Sequence, residues 1–148
     1  MTTVRKMLEM KEGSAVQFVH ANDTVYHALE VMAEHNVGAV LVCENDKFVG
    51  IFTERDYARK VILQGRESKN TLVSELMTRE LVTVTPDTSV EQCAAIMTKY
   101  RVRHLPVVEN DKVIGIVSIR SIALQMIATR DSKIIELENY ILGTGYGR

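Results

Sequence analysis

The sequence predicts a mixed α/β (α+β) chain folded as two tandem units whose sheets pack against each other. Three observations carry this. Short continuous apolar runs of strand type, Ala39-Val40-Leu41-Val42-Cys43 and Leu105-Pro106-Val107-Val108, alternate with segments of helical period. The polar tetrapeptide Glu44-Asn45-Asp46-Lys47 recurs as Glu109-Asn110-Asp111-Lys112, each time between two such runs, as the turn of a hairpin does. One offset of 65 (Val90 against Val25) also carries Met32 to Met97, Val37 to Val102, Gly50 to Gly115 and Ala58 to Ala123 without a gap. Two units repeated in this way normally bury their sheets on each other.

The elements follow in order. Val4 to Lys11 sets Val4, Met7 and Leu8 on one helical face, and Gly13-Ser14 ends that helix. Ala15 to Val19 reads as a short extended segment. Asn22-Asp23-Thr24 supplies a cap for a helix whose stripe is Val25, Ala28, Leu29, Met32 and Ala33, stopped at Asn36-Val37-Gly38. A hairpin pairs the run from Ala39 with Phe48-Val49-Gly50-Ile51-Phe52. Thr53 to Leu63 is then helical, with Tyr57, Ala58, Val61 and Ile62 as its apolar stripe. The polar stretch 64–71 is a linker. After it come a short helix at Val73 to Met77, an extended piece at Val82-Thr83-Val84, a helix opened by Pro86-Asp87-Thr88-Ser89 with Val90, Ala94 and Met97 on its face, and the second hairpin. From Asp131 an amphipathic tail helix carries Ile134, Ile135, Leu137, Ile141 and Leu142, ahead of a floppy Gly143 to Arg148. The resulting divisions are 1–63, 64–71, 72–130 and 131–148.

Composition narrows the function. A chain of 148 residues with 46% hydrophobic and 25% charged residues suits a soluble globular fold. Its net charge of −1 offers no basic field for nucleic acid or an anionic membrane. No apolar run approaches the roughly 18 residues of a membrane span, and no secretory leader follows Met1. Cys43 and Cys93 read as buried, reduced thiols of a cytoplasmic protein, not as a disulfide or metal site. No nucleophile–base pair, metal cluster or phosphate-cradling glycine loop is visible, which argues against an enzyme. His20, His27 and His35 read as surface or partly buried residues.

Two constellations remain. Gly50 to Asp56 recurs as Gly115 to Ser121, with Asp56 replaced by Ser121. Thr53 followed three residues later by Asp56 is by itself a capping box. The same junction also presents free N–H groups, a hydroxyl and two acceptor oxygens, and a carboxylate so placed can take the hydroxyls of a ribose. The second constellation, Arg103-His104, stands where the first unit has Gly38-Ala39, and suits an anion such as phosphate or else a solvated strand end. About a pseudo-twofold axis, Asp56 and Arg103-His104 would face each other across one cleft.

With the Gly-h-x-Thr/Ser-x-x-Asp signature at Gly50 to Asp56, the strand start Val102-Arg103-His104-Leu105-Pro106-Val107-Val108, and Val82-Thr83-Val84-Thr85-Pro86-Asp87 in register, the chain resembles a tandem cystathionine-β-synthase (CBS) domain pair over nearly its whole length. It is most similar to small stand-alone bacterial members. The resemblance implies a β-α-β-β-α unit used twice, flanked by short terminal helices, with clefts that take adenosine-containing ligands. It implies that Asp56 holds the ribose hydroxyls and Thr53 reaches the ribose or α-phosphate. Ser14, Ala15 and the backbone at Gln17 would edge the adenine over a floor of Val37, Gly38 and Ala39. Arg103 and His104 would meet the phosphate, with Arg55 and Arg120 as further phosphate candidates.

The second unit departs from the family pattern, because Ser121 lacks the carboxylate and Arg120 stands where such members carry Gly. The expectation is therefore one strong site keyed by Asp56. The second site, near Val82, Thr83, Ile116, Ser118 and Ser121, would be weak, altered or empty; alternatively Arg120 retunes it toward a more anionic ligand. The implied function is a non-enzymatic regulatory module that binds AMP, ADP, ATP, NAD or S-adenosylmethionine, needs no cofactor or metal, and signals through a homodimer or a partner protein. The alternative is a structural dimerisation module with vestigial clefts.

Overall fold

A computed structural model of the chain describes residues 2–10 and 16–141. The expected helix end at Gly13-Ser14, and the tail from Leu142 onward, lie outside the described residues.

Each unit begins from local chemistry that the sequence already carries. Helix α1 (Val4–Glu9) opens at Thr3, whose side chain accepts from the Lys6 N–H. Strand β1 (Phe18–His20) leads to α2 (Val25–His35), capped by Thr24, whose hydroxyl accepts from the His27 N–H at 3.1 Å. Asn36 ends α2 in the left-handed region at φ 53°, a conformation Asn adopts at modest cost. Strands β2 (Ala39–Glu44) and β3 (Lys47–Thr53) pair antiparallel, and β1 joins β2 in parallel, giving the order β1-β2-β3. Asn45 and Asp46, at φ 52° and 62°, form the tight turn with two positive φ angles that matches the twist of a hairpin.

The helix after β3 differs in detail from its expected stripe. A single turn, α3 (Glu54–Asp56), runs into a π-helical segment at Tyr57–Ile62, whose wide turn is closed by the Leu63 N–H donating to the Ala58 carbonyl at 3.2 Å. The wider winding keeps Val61 buried and Tyr57 against the core, and turns Ala58 and Ile62 out to solvent.

The second unit repeats this plan. A short helix α4 (Val73–Leu76) precedes α5 (Val90–Tyr100), which Ser89 and Gln92 cap reciprocally, and strands β4 (His104–Glu109) and β5 (Lys112–Ser118) form its hairpin. In place of β1 there is one parallel bridge, Val84 to Val107, at the positions equivalent to Val19 and Val42. Helix α6 (Ile119–Ile141) runs unbroken for 23 residues. The tail helix expected from Asp131 is thus the second half of α6, since neither Gly nor Pro interrupts it. Ile134, Ile135 and Leu137 are exposed on that extension.

The two units exchange their leading helices. Val73, Leu76 and Met77 bury into the core of the first unit, among Val25, Met32, Val40 and Phe52. Val4 and Met7 bury into the core of the second, among Val90, Met97, Leu105 and Val117. Backbone bonds fix the exchange: the Val4 N–H donates to Thr88 and the Val90 N–H to Thr2, while the Val25 N–H donates to Thr71 and the Val73 N–H to Asp23. Each fully buried Val or Met on these short helices contributes about 1.5–3 kcal/mol of burial, which a one- or two-turn helix alone does not recover from its own hydrogen bonds. A third cluster, Ala39, Leu41 and Ile51 with Ile116, lies between the two sheets and joins the units. The mixed α/β pair with sheets face to face is the fold class that the sequence predicts.

Candidate functional site

The sheet-to-sheet seam opens at one end into a cleft of about 470 Å³, where the start of α3 faces the start of β4. A cleft of this size is in the range that encloses a small ligand. Gly38, Thr53, Arg55, Asp56, Arg103 and His104 all line it, so the two constellations singled out in the sequence meet in space.

Asp56 is the centre of its polar network. The capping box is complete, for the Asp56 N–H donates to Thr53 Oγ1 at 3.1 Å and the Thr53 N–H returns a bond to Asp56 Oδ2 at 3.0 Å. Thr53 Oγ1 also donates to Oδ2 at 3.0 Å. The other oxygen, Oδ1, takes the Lys60 ammonium at 3.1 Å and the Thr78 hydroxyl at 3.4 Å. Both oxygens are thereby engaged, in a side chain only 13% exposed.

Charge in the cleft is lopsided. Arg55, Arg59, Lys60, Arg101 and Arg103 line it against only Glu54 and Asp56, in a chain whose total is −1. Such a concavity raises the local concentration of anions. Burial, with Arg103 beside it, lowers the pKa of His104, so His104 is neutral at pH 7 and the cation at that strand start is Arg103.

The other sequence candidates are placed as follows. Val37 packs on the first unit's core, Ala39 is buried between the sheets, and the Gln17 carbonyl accepts from the Leu41 N–H in the sheet. Arg120 is exposed on the first turn of α6, away from the cleft lining. Ser14 and Ala15 lie outside the described residues. Of the second-site candidates, Val82 packs on the second unit's core, Thr83 is exposed and Ile116 sits between the sheets. Ser121, 8% exposed, turns back on its own cap: its hydroxyl accepts from the Ser118 N–H at 3.0 Å and donates to the Ser118 carbonyl at 2.9 Å. Among the described residues, none of these five lines the cleft that holds Asp56.

Among the polar residues of the lining, sequence reasoning missed Glu54, Arg59, Lys60, Thr78 and Arg101. Lys60 had a signal, since it follows Asp56 by four residues in a helix. Thr78 had none, because it reaches the cleft only through an isolated bridge to Ile51. Arg101 ends α5 at φ 55°, where the first unit uses Asn36, and an Arg held in that conformation is the kind of local strain that collects at functional sites.

The CBS domain family profile matches the chain twice, at residues 8–62 and 73–127. This chain belongs to the CBS-domain family. CBS pairs are generally regulatory, non-enzymatic modules. The mitochondrial CBS domain-containing protein CBSX3 of Arabidopsis thaliana is 41% identical over 153 residues, covering 98% of this chain and 74% of that protein. A solved CBS-domain protein from Burkholderia ambifaria superposes with a TM-score of 0.82 at 46% identity, over 86% of this chain and 95% of that one. The CBS pair of protein MJ0100, solved with 5′-methylthioadenosine and S-adenosylmethionine, has a TM-score of 0.76 at 27% identity, over 87% of this chain and 98% of that one. Among the described residues no helix of this CBS pair is long and apolar enough to cross a membrane.

Proposed function

We infer that this CBS pair is a non-enzymatic regulatory module that binds an adenosine-containing ligand in the cleft keyed by Asp56. The observation that carries the reading is the meeting of Asp56 with five cationic side chains in one cleft, which offers an acceptor for ribose hydroxyls beside a place for phosphate. In this reading Asp56 takes the ribose, Thr53 holds the cap and reaches the ribose or α-phosphate, and Arg55 and Arg103 carry the phosphate. His104 supplies a neutral ring that can donate or accept one hydrogen bond. AMP, ADP and ATP are the first candidates, with NAD and S-adenosylmethionine behind them, and the adenosine ligands seen with protein MJ0100 support the class. The second site, near Ser118 and Ser121, binds weakly or not at all, because Ser121 lacks the carboxylate and spends its hydroxyl on the Ser118 carbonyl.

The test is thermal unfolding with each ligand, since a ligand that binds only the folded state raises the melting temperature. AMP or ATP should raise it, and Asp56→Ala should weaken binding about ten- to a hundredfold through loss of a charge-assisted hydrogen bond. No shift with any candidate at millimolar concentration would sink the sensor reading.

A second reading, as a dimerisation module, is favoured by the apolar side chains exposed along α6, among them Leu124, Ile127, Ile134 and Leu137. The two are compatible: a homodimer joined through α6 gives ligand binding something to alter. Sedimentation should find a dimer, and Ile127→Glu with Leu137→Glu should release monomers; a monomeric wild type would end this reading. The compartment is a reducing one, the cytoplasm in the simplest case, consistent with Cys43 and Cys93 as free thiols.

A further inference from the structure

We propose that Lys60 is a specificity residue that makes the cleft select ligands carrying an anionic group over neutral nucleosides. This rests on the reading of the cleft as an adenosine site and concerns how that site discriminates.

The geometry begins with the four acceptor positions of the Asp56 carboxylate. Oδ2 is held by the Thr53 N–H and hydroxyl, and giving up those bonds would dismantle the helix cap. Oδ1 is therefore the oxygen that can exchange partners, and its present partners are Lys60 and Thr78. A ribose hydroxyl that comes to Oδ1 has to displace the Lys60 ammonium at 3.1 Å or crowd against it. A neutral ligand takes Lys60 from its counter-ion and returns nothing. A ligand with a phosphate returns a new counter-ion to the same ammonium, which already lines the cleft. The exchange is close to balanced for an anion and unfavourable for a nucleoside.

The second unit supplies an independent observation. At the offset of 65, Asp56 corresponds to Ser121 and Lys60 to Gln125. Both members of the ion pair are replaced together by neutral residues, and Gln125 is 9% exposed. A lysine serving only as a solvated helix charge has no reason to vanish with the aspartate. One that answers to Asp56 does.

Lys60 also donates to the Leu76 carbonyl at 3.1 Å, at the end of α4. Movement of its ammonium away from Asp56 would loosen that bond, so a ligand that displaces Lys60 also acts on α4.

The experiment measures binding of 5′-methylthioadenosine and AMP by titration calorimetry to the wild-type chain, Lys60→Gln and Lys60→Arg. The two ligands share adenine and the 2′- and 3′-hydroxyls of the ribose, and carry at C5′ a neutral thioether in one and a phosphate in the other. Lys60→Gln should tighten 5′-methylthioadenosine and weaken AMP, each about three- to tenfold, so that their affinity ratio collapses. Lys60→Arg should keep the ratio near that of wild type. Should Lys60→Gln fail to fold, Lys60→Met keeps the aliphatic stem and takes its place. An unchanged ratio in the neutral variant, with binding intact, overturns the role of Lys60 and leaves the adenosine site standing. A wild-type chain that binds neither ligand removes both.

Discussion

Arg103 and His104 stand side by side at the start of β4, and their surroundings treat them differently. The guanidinium lies exposed, whereas burial lowers the pKa of the imidazole. A folded-state pKa below the unfolded value of about 6.5 means that the unfolded chain takes up the proton first as pH falls. The contribution of His104 to stability is then present above about pH 6.5 and is lost as pH drops below it. Melting temperatures followed from pH 7.5 to 5.5 should fall, and His104→Gln should flatten part of that slope. Glu75 behaves in the same sense over a lower range: its carboxylate, bonded by the Leu72 N–H and Arg66, has a lowered pKa and loses its contribution only in the carboxylate range, further into acid. The sequence identified the Arg-His pair and its partner Asp56 from pseudo-symmetry alone. It did not reveal which of the two basic residues keeps its charge, because desolvation is set by packing that no local motif encodes.

At the scale of elements, the repeated glycines Gly50 and Gly115 show why the repeat is preserved where it is. A Cβ on Gly50 would lie 2.9 Å from the Thr78 carbonyl oxygen and 2.8 Å from Met77 Sδ, in the segment that follows α4. A Cβ on Gly115 would meet Leu8 Cδ2, on α1, at 2.7 Å. Both glycines therefore admit the exchanged helix of the other half. Gly50→Ala should cost about 1–3 kcal/mol in chemical denaturation, since backbone has to move, and should disturb Thr78 in the cleft. Gly115→Ala should cost less, because only the Leu8 side chain has to give way. Equal costs at the two positions would contradict this account. The hairpins and α2 were legible from their turn residues and caps, as was α5 from its serine start. The π-helical winding after Asp56 was not, since its apolar spacing reads equally well as an α-helix and the choice is made by how Val61 reaches the core.

For the whole molecule, the offset of 65 gave the two-unit plan and the sheet-to-sheet seam. It gave no hint that α1 serves the second core and α4 the first, because the repeat register starts only after those helices. The charge balance shows a similar limit: a total of −1 conceals a cleft with five cations and two carboxylates, since a sum over the chain carries no address. The exchange of helices has a consequence for how such a chain can arise. Neither unit, cut from the sequence as a repeat, contains its own complete core. A single-repeat ancestor would have folded only as two chains lending each other a helix, and fusion of two copies would have turned an obligate partnership into one molecule. The unit that was copied is then not the unit that folds.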